Sequence, residues 1–195
     1  MSKDTLSRAA RSDAPLTAAV HQRDVAKAVA DAEDWRTAAL AGRTVTVNRP
    51  RAELYAFWRD FPNLARFMEN IERVETGADG LSTWTIAAPA GRTVTFRSRI
   101  TADEPDRLIA WESEPGGDIA NTGQVEFLDA PPGRGTWVRV TLAYEPPAGE
   151  AGKAVAKLFQ KEPKMQARRD LRRFKQLMEA GEIATSAAPD AAPRG

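Results

Sequence analysis

Cysteine is absent from the 195-residue chain, which excludes disulfides, thiolate nucleophiles, zinc knuckles and iron–sulfur ligation together. Histidine is nearly absent. The single His21 lies in an N-terminal stretch outside the segment that reads as a folded domain, so a pocket in that domain has no histidine general base. That argues against Ser–His catalysis and against a histidine-ligated metal, and no cofactor or metal is expected. The chain also lacks any apolar run approaching the ~18 residues that span a bilayer. Its N-terminus carries acids where a signal peptide would place a hydrophobic core, so the expectation is a soluble, unprocessed, cytoplasmic protein. Excess charge of one sign is missing too: 28 basic and 27 acidic side chains give a net charge of +1, and any contact with nucleic acid or membrane must come from a local patch. A phosphate loop is lacking as well. The stretch 149–153 has the wrong spacing for one, with Ala154 in place of the needed hydroxyl.

What is present is organised around residues 163–180, PKMQARRDLRRFKQLMEA. Leu171, Phe174 and Met178 recur at helical spacing, with Ala167 one turn earlier, so one stripe is apolar. Pro163 suits the first helical position and Gly181 the stop. Such a helix is roughly 27 Å long, and its stripe needs a cover of similar length. Before it, residues 43–48 alternate Val45 and Val47 with threonine and read as a half-buried strand. Pro50 opens a short helix carrying Leu54, Phe57, Trp58 and Phe61. A second short helix carries Leu64, Phe67, Met68 and Ile71.

From residue 71 to residue 144 the pattern is strand, turn, strand. Gly and Pro clusters at 77–80, 89–91, 115–117 and 131–133 separate alternating segments. Connections this short imply an antiparallel meander, because parallel strands need long crossovers. Counting by two places Val94, Phe96, Ser98 and Ile100 on one face and arginines and threonines on the other. Residues 151–161 read as a further helix, with a break before Pro163. The domain assignment is therefore an N-terminal extension at 1–41, polar and then alanine-rich with a candidate helix, one domain at 42–182, and a disordered tail at 183–195.

The runs VTVNRPRAELYAFWRDFPNLARFMENIERVE (45–75), LIAWESEPGGDIANTGQVEF (108–127) and EPKMQARRDLRRFKQLMEAGE (162–182) resemble the START-like SRPBCC superfamily. Within it they look like the polyketide cyclase/dehydrase family, which also contains coenzyme Q-binding START-like proteins. The resemblance covers about residues 42–182. It implies an α+β helix-grip fold, a curved antiparallel sheet wrapped around the C-terminal helix, with a cavity used for lipids, isoprenoids, quinones or polyketides.

The residues agree that large apolar side chains face inward. The wall candidates are Trp84, Phe96, Trp111, Phe127 and Tyr144 from the sheet, Phe67 and Met68 from the second short helix, and Phe174 from the long helix; the competing reading is that these rings fill a solid core. Polar candidates are Glu112, Glu114, Asp118, Tyr55, Tyr144 and Asn121, of which the acids read best as solvated strand ends. Arg168, Arg169, Arg172 and Arg173 form a basic patch on the long helix. It suits anionic headgroups or RNA phosphates, or a solvated face paired to its own acids. These features point first to a binding or carrier module for a lipophilic small molecule. A cyclase or dehydrase, and an interaction protein docking through the basic helix on RNA, ribosome or membrane, are the alternatives. Nothing in the sequence marks a catalytic residue or an oligomeric state.

Overall fold

A computed structural model describes residues 39–88, 91–145 and 163–184. The N-terminal candidate helix, the 151–161 helix, the break before Pro163 and both expected disordered ends lie outside these residues or at their margins.

The elements are β1 (Ala39–Val47), α1 (Arg51–Arg59), a 3-10 helix (Phe61–Arg66), β2 (Ile71–Thr76), β3 (Ser82–Ala88), β4 (Arg92–Glu104), β5 (Leu108–Ser113), β6 (Ala120–Asp129), β7 (Thr136–Glu145) and α2 (Pro163–Ala180). All strands join one seven-stranded sheet in the order β1-β7-β6-β5-β4-β3-β2, antiparallel throughout. Strands 2 to 7 follow one another as hairpins, as the short turns require. The first strand pairs with the last, Val45 opposite Val138, which curls the sheet into a half-barrel. With α2 in its grip, this is the helix-grip fold expected from the sequence.

Pro50 stands just ahead of α1 in an extended conformation, and Pro62 lies in the first turn of the 3-10 helix. The second short helix is thus 3-10 and ends at Arg66; Phe67 and Met68 fall in the connection that leads to β2. That tighter geometry suits a piece only six residues long. At the far end Gly181 takes φ +81° and its N–H bonds to the Leu177 carbonyl at 2.9 Å. This left-handed stop is the role glycine fills at a helix end.

The alternation in β4 is plain: Val94, Phe96 and Ser98 are buried while Thr93, Thr95, Arg97 and Arg99 are exposed. A bulge between Ile100 and Ala102 then interrupts the β4–β5 register, and such a bulge bends a strand. The concave face meets α1, the 3-10 helix and α2 in a single core cluster. Helix α2 packs on β1 and is fastened there by polar bonds: Lys175 Nζ donates to the Thr46 carbonyl, and Glu179 Oε1 accepts from the Asn48 N–H at 2.6 Å. No described helix is long and apolar enough to cross a membrane.

Candidate functional site

The core holds two groups of rings. In one, Trp58, Phe67 and Phe174 meet with centroids 5.0 to 5.3 Å apart, and Phe127 reaches Trp58 at 6.4 Å. All four are essentially fully buried; Phe127 and Phe174 pack solidly, while Trp58 and Phe67 also border the neighbouring cavity. The other group lines a cavity of about 150 Å³ between the sheet, the 61–71 segment and the N-terminal half of α2. An engineered apolar cavity of comparable volume stays dry and accepts benzene, so the space suits a compact guest of one or two rings.

The cavity wall is held in place by particular contacts. Trp84 stacks on Phe96 with centroids 5.7 Å apart and planes within 7°, which follows from their opposite positions in the β3–β4 ladder. The Trp84 Nε1–H donates to Ser98 Oγ at 2.8 Å, so the polar atom of the buried indole is satisfied and its faces remain apolar. Trp111 lies over Gly123, its partner across the β5–β6 ladder. A Cβ at Gly123 would stand 2.6 Å from Trp111 Cζ2 and 2.9 Å from the Thr141 carbonyl oxygen. Glycine there lets the indole lie against the strand and leaves the cavity clear.

Six of the sequence candidates, Phe67, Met68, Trp84, Phe96, Trp111 and Tyr144, line the cavity. Phe127 and Phe174 do not; they belong to the solid cluster. Trp58, Phe61, Leu64, Ile86, Ile119 and Leu171 also contribute to the wall and were not among the candidates. Trp58 and Phe61 had been placed on the apolar stripe of the first short helix, but periodicity does not tell which members of a stripe border a void.

The polar groups of the wall are few. Asn121 and Tyr144 stand opposite one another across β6 and β7. Burial pushes the Tyr144 phenol well above its usual range, so it stays protonated. Among the described residues Asn121 Oδ1 and Trp58 Nε1 have no hydrogen-bond partner although both atoms are buried, and buried polar atoms normally find one. On the α2 side stand Gln166, Ala167 and Asp170. Asp170 Oδ1 accepts from Gln166 Nε2 at 2.9 Å and from the Glu69 N–H at 3.3 Å. Burial is the largest influence on this carboxyl and raises it to about 7; the two hydrogen bonds and Arg173 act the other way, while Glu69 adds to the rise. By charge alone Asp170 reads as one of the few acids on a basic helix. Its position, one turn beyond Ala167 and one before Phe174, was the signal that it shares the apolar side.

The remaining polar candidates serve the scaffold. Glu112 and Glu114 pair with Arg99, Asp118 accepts from the Thr95 N–H at 2.8 Å, and Tyr55 donates to Asp103. Burial and that hydrogen bond push the Tyr55 phenol to about 12. In the basic patch, Arg173 turns inward: its Nε donates to the Phe67 carbonyl at 2.9 Å and it pairs with Glu69 at 3.2 Å. Arg169 and Arg172 are exposed and Arg168 is half-buried. Among the described residues no three His, Cys, Asp or Glu side chains are grouped to hold a metal.

The model of the family described as polyketide cyclase/dehydrase and lipid transport matches residues 47–172, a span that includes strands β2 to β7, the cavity-lining residues and Asp170. The chain belongs to this family. A crystal structure from Deinococcus radiodurans is 41% identical, covering 73% of this chain and 98% of that one, with a TM-score of 0.60. A protein of Streptomyces lincolnensis, described as an uncharacterized 17.2 kDa protein, is 31% identical over 84 residues, 43% of this chain and 55% of its own length; the match thus spans little more than half of that relative. The Zhui aromatase/cyclase from Streptomyces sp. R1128 is 17% identical with a TM-score of 0.54, covering 75% of this chain and 99% of that one. At that identity the likeness is one of fold. The family description embraces both chemistry on lipophilic molecules and their carriage.

Proposed function

We propose that this protein is a binding module for a compact lipophilic molecule, held in the cavity between the half-barrel and α2. The observation that carries this reading is the cavity itself, about 150 Å³ bounded by Phe61, Trp84, Phe96 and Trp111, with polar atoms confined to a few positions. Removing apolar surface from water contributes about 25 cal/mol per Å², so the rings supply affinity and the polar atoms supply orientation. The volume favours a ring system over a long acyl or polyprenyl chain, which narrows the ligands that the family description suggests. Native mass spectrometry of the freshly purified protein is expected to show a bound apolar compound that solvent extraction releases. A protein that carries nothing, and that takes up no compact aromatic compound when offered a panel of them, would refute the reading.

A further inference from the structure

Among the described residues Asp170 is the one carboxyl lining the cavity, and its two oxygens are used unequally. Oδ1 accepts two hydrogen bonds, from Gln166 Nε2 and from the Glu69 N–H. Both partners are donors, so a proton bound by this carboxyl cannot sit on Oδ1 without opposing them. It must sit on Oδ2, which has no hydrogen-bond partner among the described residues.

We propose that Asp170 acts as a carboxylic-acid donor facing the cavity, selecting lipophilic guests that carry an acceptor oxygen, such as an aryl ketone or a quinone carbonyl, and tying their uptake to a proton. This rests on the reading of the cavity as a binding site and adds to it the chemistry of the guest. A hydrocarbon seated against the acid leaves its O–H unsatisfied, whereas a carbonyl accepts from it. Once the proton is lost, the carboxylate repels the same carbonyl oxygen and has to remain buried beside an apolar guest.

The charged and titratable groups facing Asp170 are Glu69 from the connection before β2 and Arg173 one turn further along α2, with Tyr144 of β7 on the same cavity wall. Glu69 and Arg173 pair with each other, and burial keeps the Tyr144 phenol protonated. Asp170 is therefore the group that changes charge near neutrality, its carboxyl raised to about 7.

The test compares 2-acetylnaphthalene with 2-ethylnaphthalene, which share the ring system and a two-carbon side chain and differ in one carbonyl, by equilibrium dialysis against the full chain at pH 6 and pH 8. The preference for the ketone is expected to fall about tenfold between the two, following the protonated fraction of a group with its midpoint near 7. Asp170→Asn keeps an acceptor for the two protein donors and presents an amide N–H where the acid O–H stood, so it should hold the pH 6 preference at both pH values. Glu69→Gln should move the midpoint to lower pH, because a neighbouring negative charge is removed. A wild-type preference that is flat or rises with pH, or an Asp170→Asn preference that follows the wild-type decline, overturns the proposal while leaving the cavity as a binding site. Failure of 2-ethylnaphthalene itself to bind at either pH would instead remove the binding reading, and this inference with it.

Discussion

The two halves of the interior use the same kinds of side chain and reach opposite results. Phe127 and Phe174 pack against Trp58 and neither of them borders the void. Around Phe61, Trp84, Phe96 and Trp111 rings of the same size border a void. The difference lies in what α2 sends inward. Towards its C-terminus it offers Phe174, fully buried; one and two turns earlier it offers Asp170, Gln166 and Ala167. A methyl group, an amide and a carboxyl cannot fill the volume that the Phe174 ring fills further along. The void is thus produced by small and polar residues on the helix. The sheet is more aromatic around the void, where it supplies Trp84, Phe96, Trp111 and Tyr144, than in the solid half, where it supplies Phe127.

This contrast should appear first in stability. Phe174→Ala removes a ring packed on every side and is expected to cost about 4 kcal/mol, measured by urea unfolding. Phe96→Ala, on the wall of the void, should cost about 2 kcal/mol, since part of its surface had no packing partner to lose. Equal losses at the two positions would mean that the two halves are packed alike.

A pH-dependent effect concerns Asp170. Its carboxyl titrates near 7 in the fold against an ordinary value of 3.8. Between those values the folded chain holds a proton that the unfolded chain has released, so this group's contribution is fully present below pH 3.8, declines as pH rises and is gone above about 7. At about 1.4 kcal/mol per unit, the whole decline is on the order of 4 kcal/mol for this largely buried group. Asp170→Asn cannot ionise and is expected to be more stable than wild type at pH 8 by about 4 kcal/mol, with little difference at pH 4. Urea midpoints at the two pH values check this, and an Asn variant weaker at pH 8 would contradict it.

The frame of this contrast was legible in the sequence and a cavity was implied by the family resemblance, but which rings border it was not. Pro163 and Gly181 bounded α2 correctly, and period-two alternation assigned Phe96 and Ser98 to the buried face, because these signals are local. Whether a ring ends in a solid cluster or on a cavity wall is decided by what stands opposite. Phe127 and Trp111 both fall in inward registers, yet only Trp111 borders the void. Part of that outcome depends on Gly123, whose missing side chain matters only once the β5–β6 register is known. The basic patch shows the same limit. Helical spacing grouped Arg173 with Arg169 and Arg172, whereas the loop carrying Phe67 and Glu69 draws Arg173 inward.

The most direct measurement fills the void from the helix. Ala167 lines it, and Ala167→Phe would place a ring where α2 otherwise offers a methyl group. Equilibrium dialysis of 2-ethylnaphthalene against wild type and Ala167→Phe, with circular dichroism to verify the fold, should show binding by the first and at least a tenfold loss in the second, an order-of-magnitude expectation for losing about 1.4 kcal/mol or more of apolar contact. Equal uptake by two well-folded proteins would show that the guest sits elsewhere and would contradict the account.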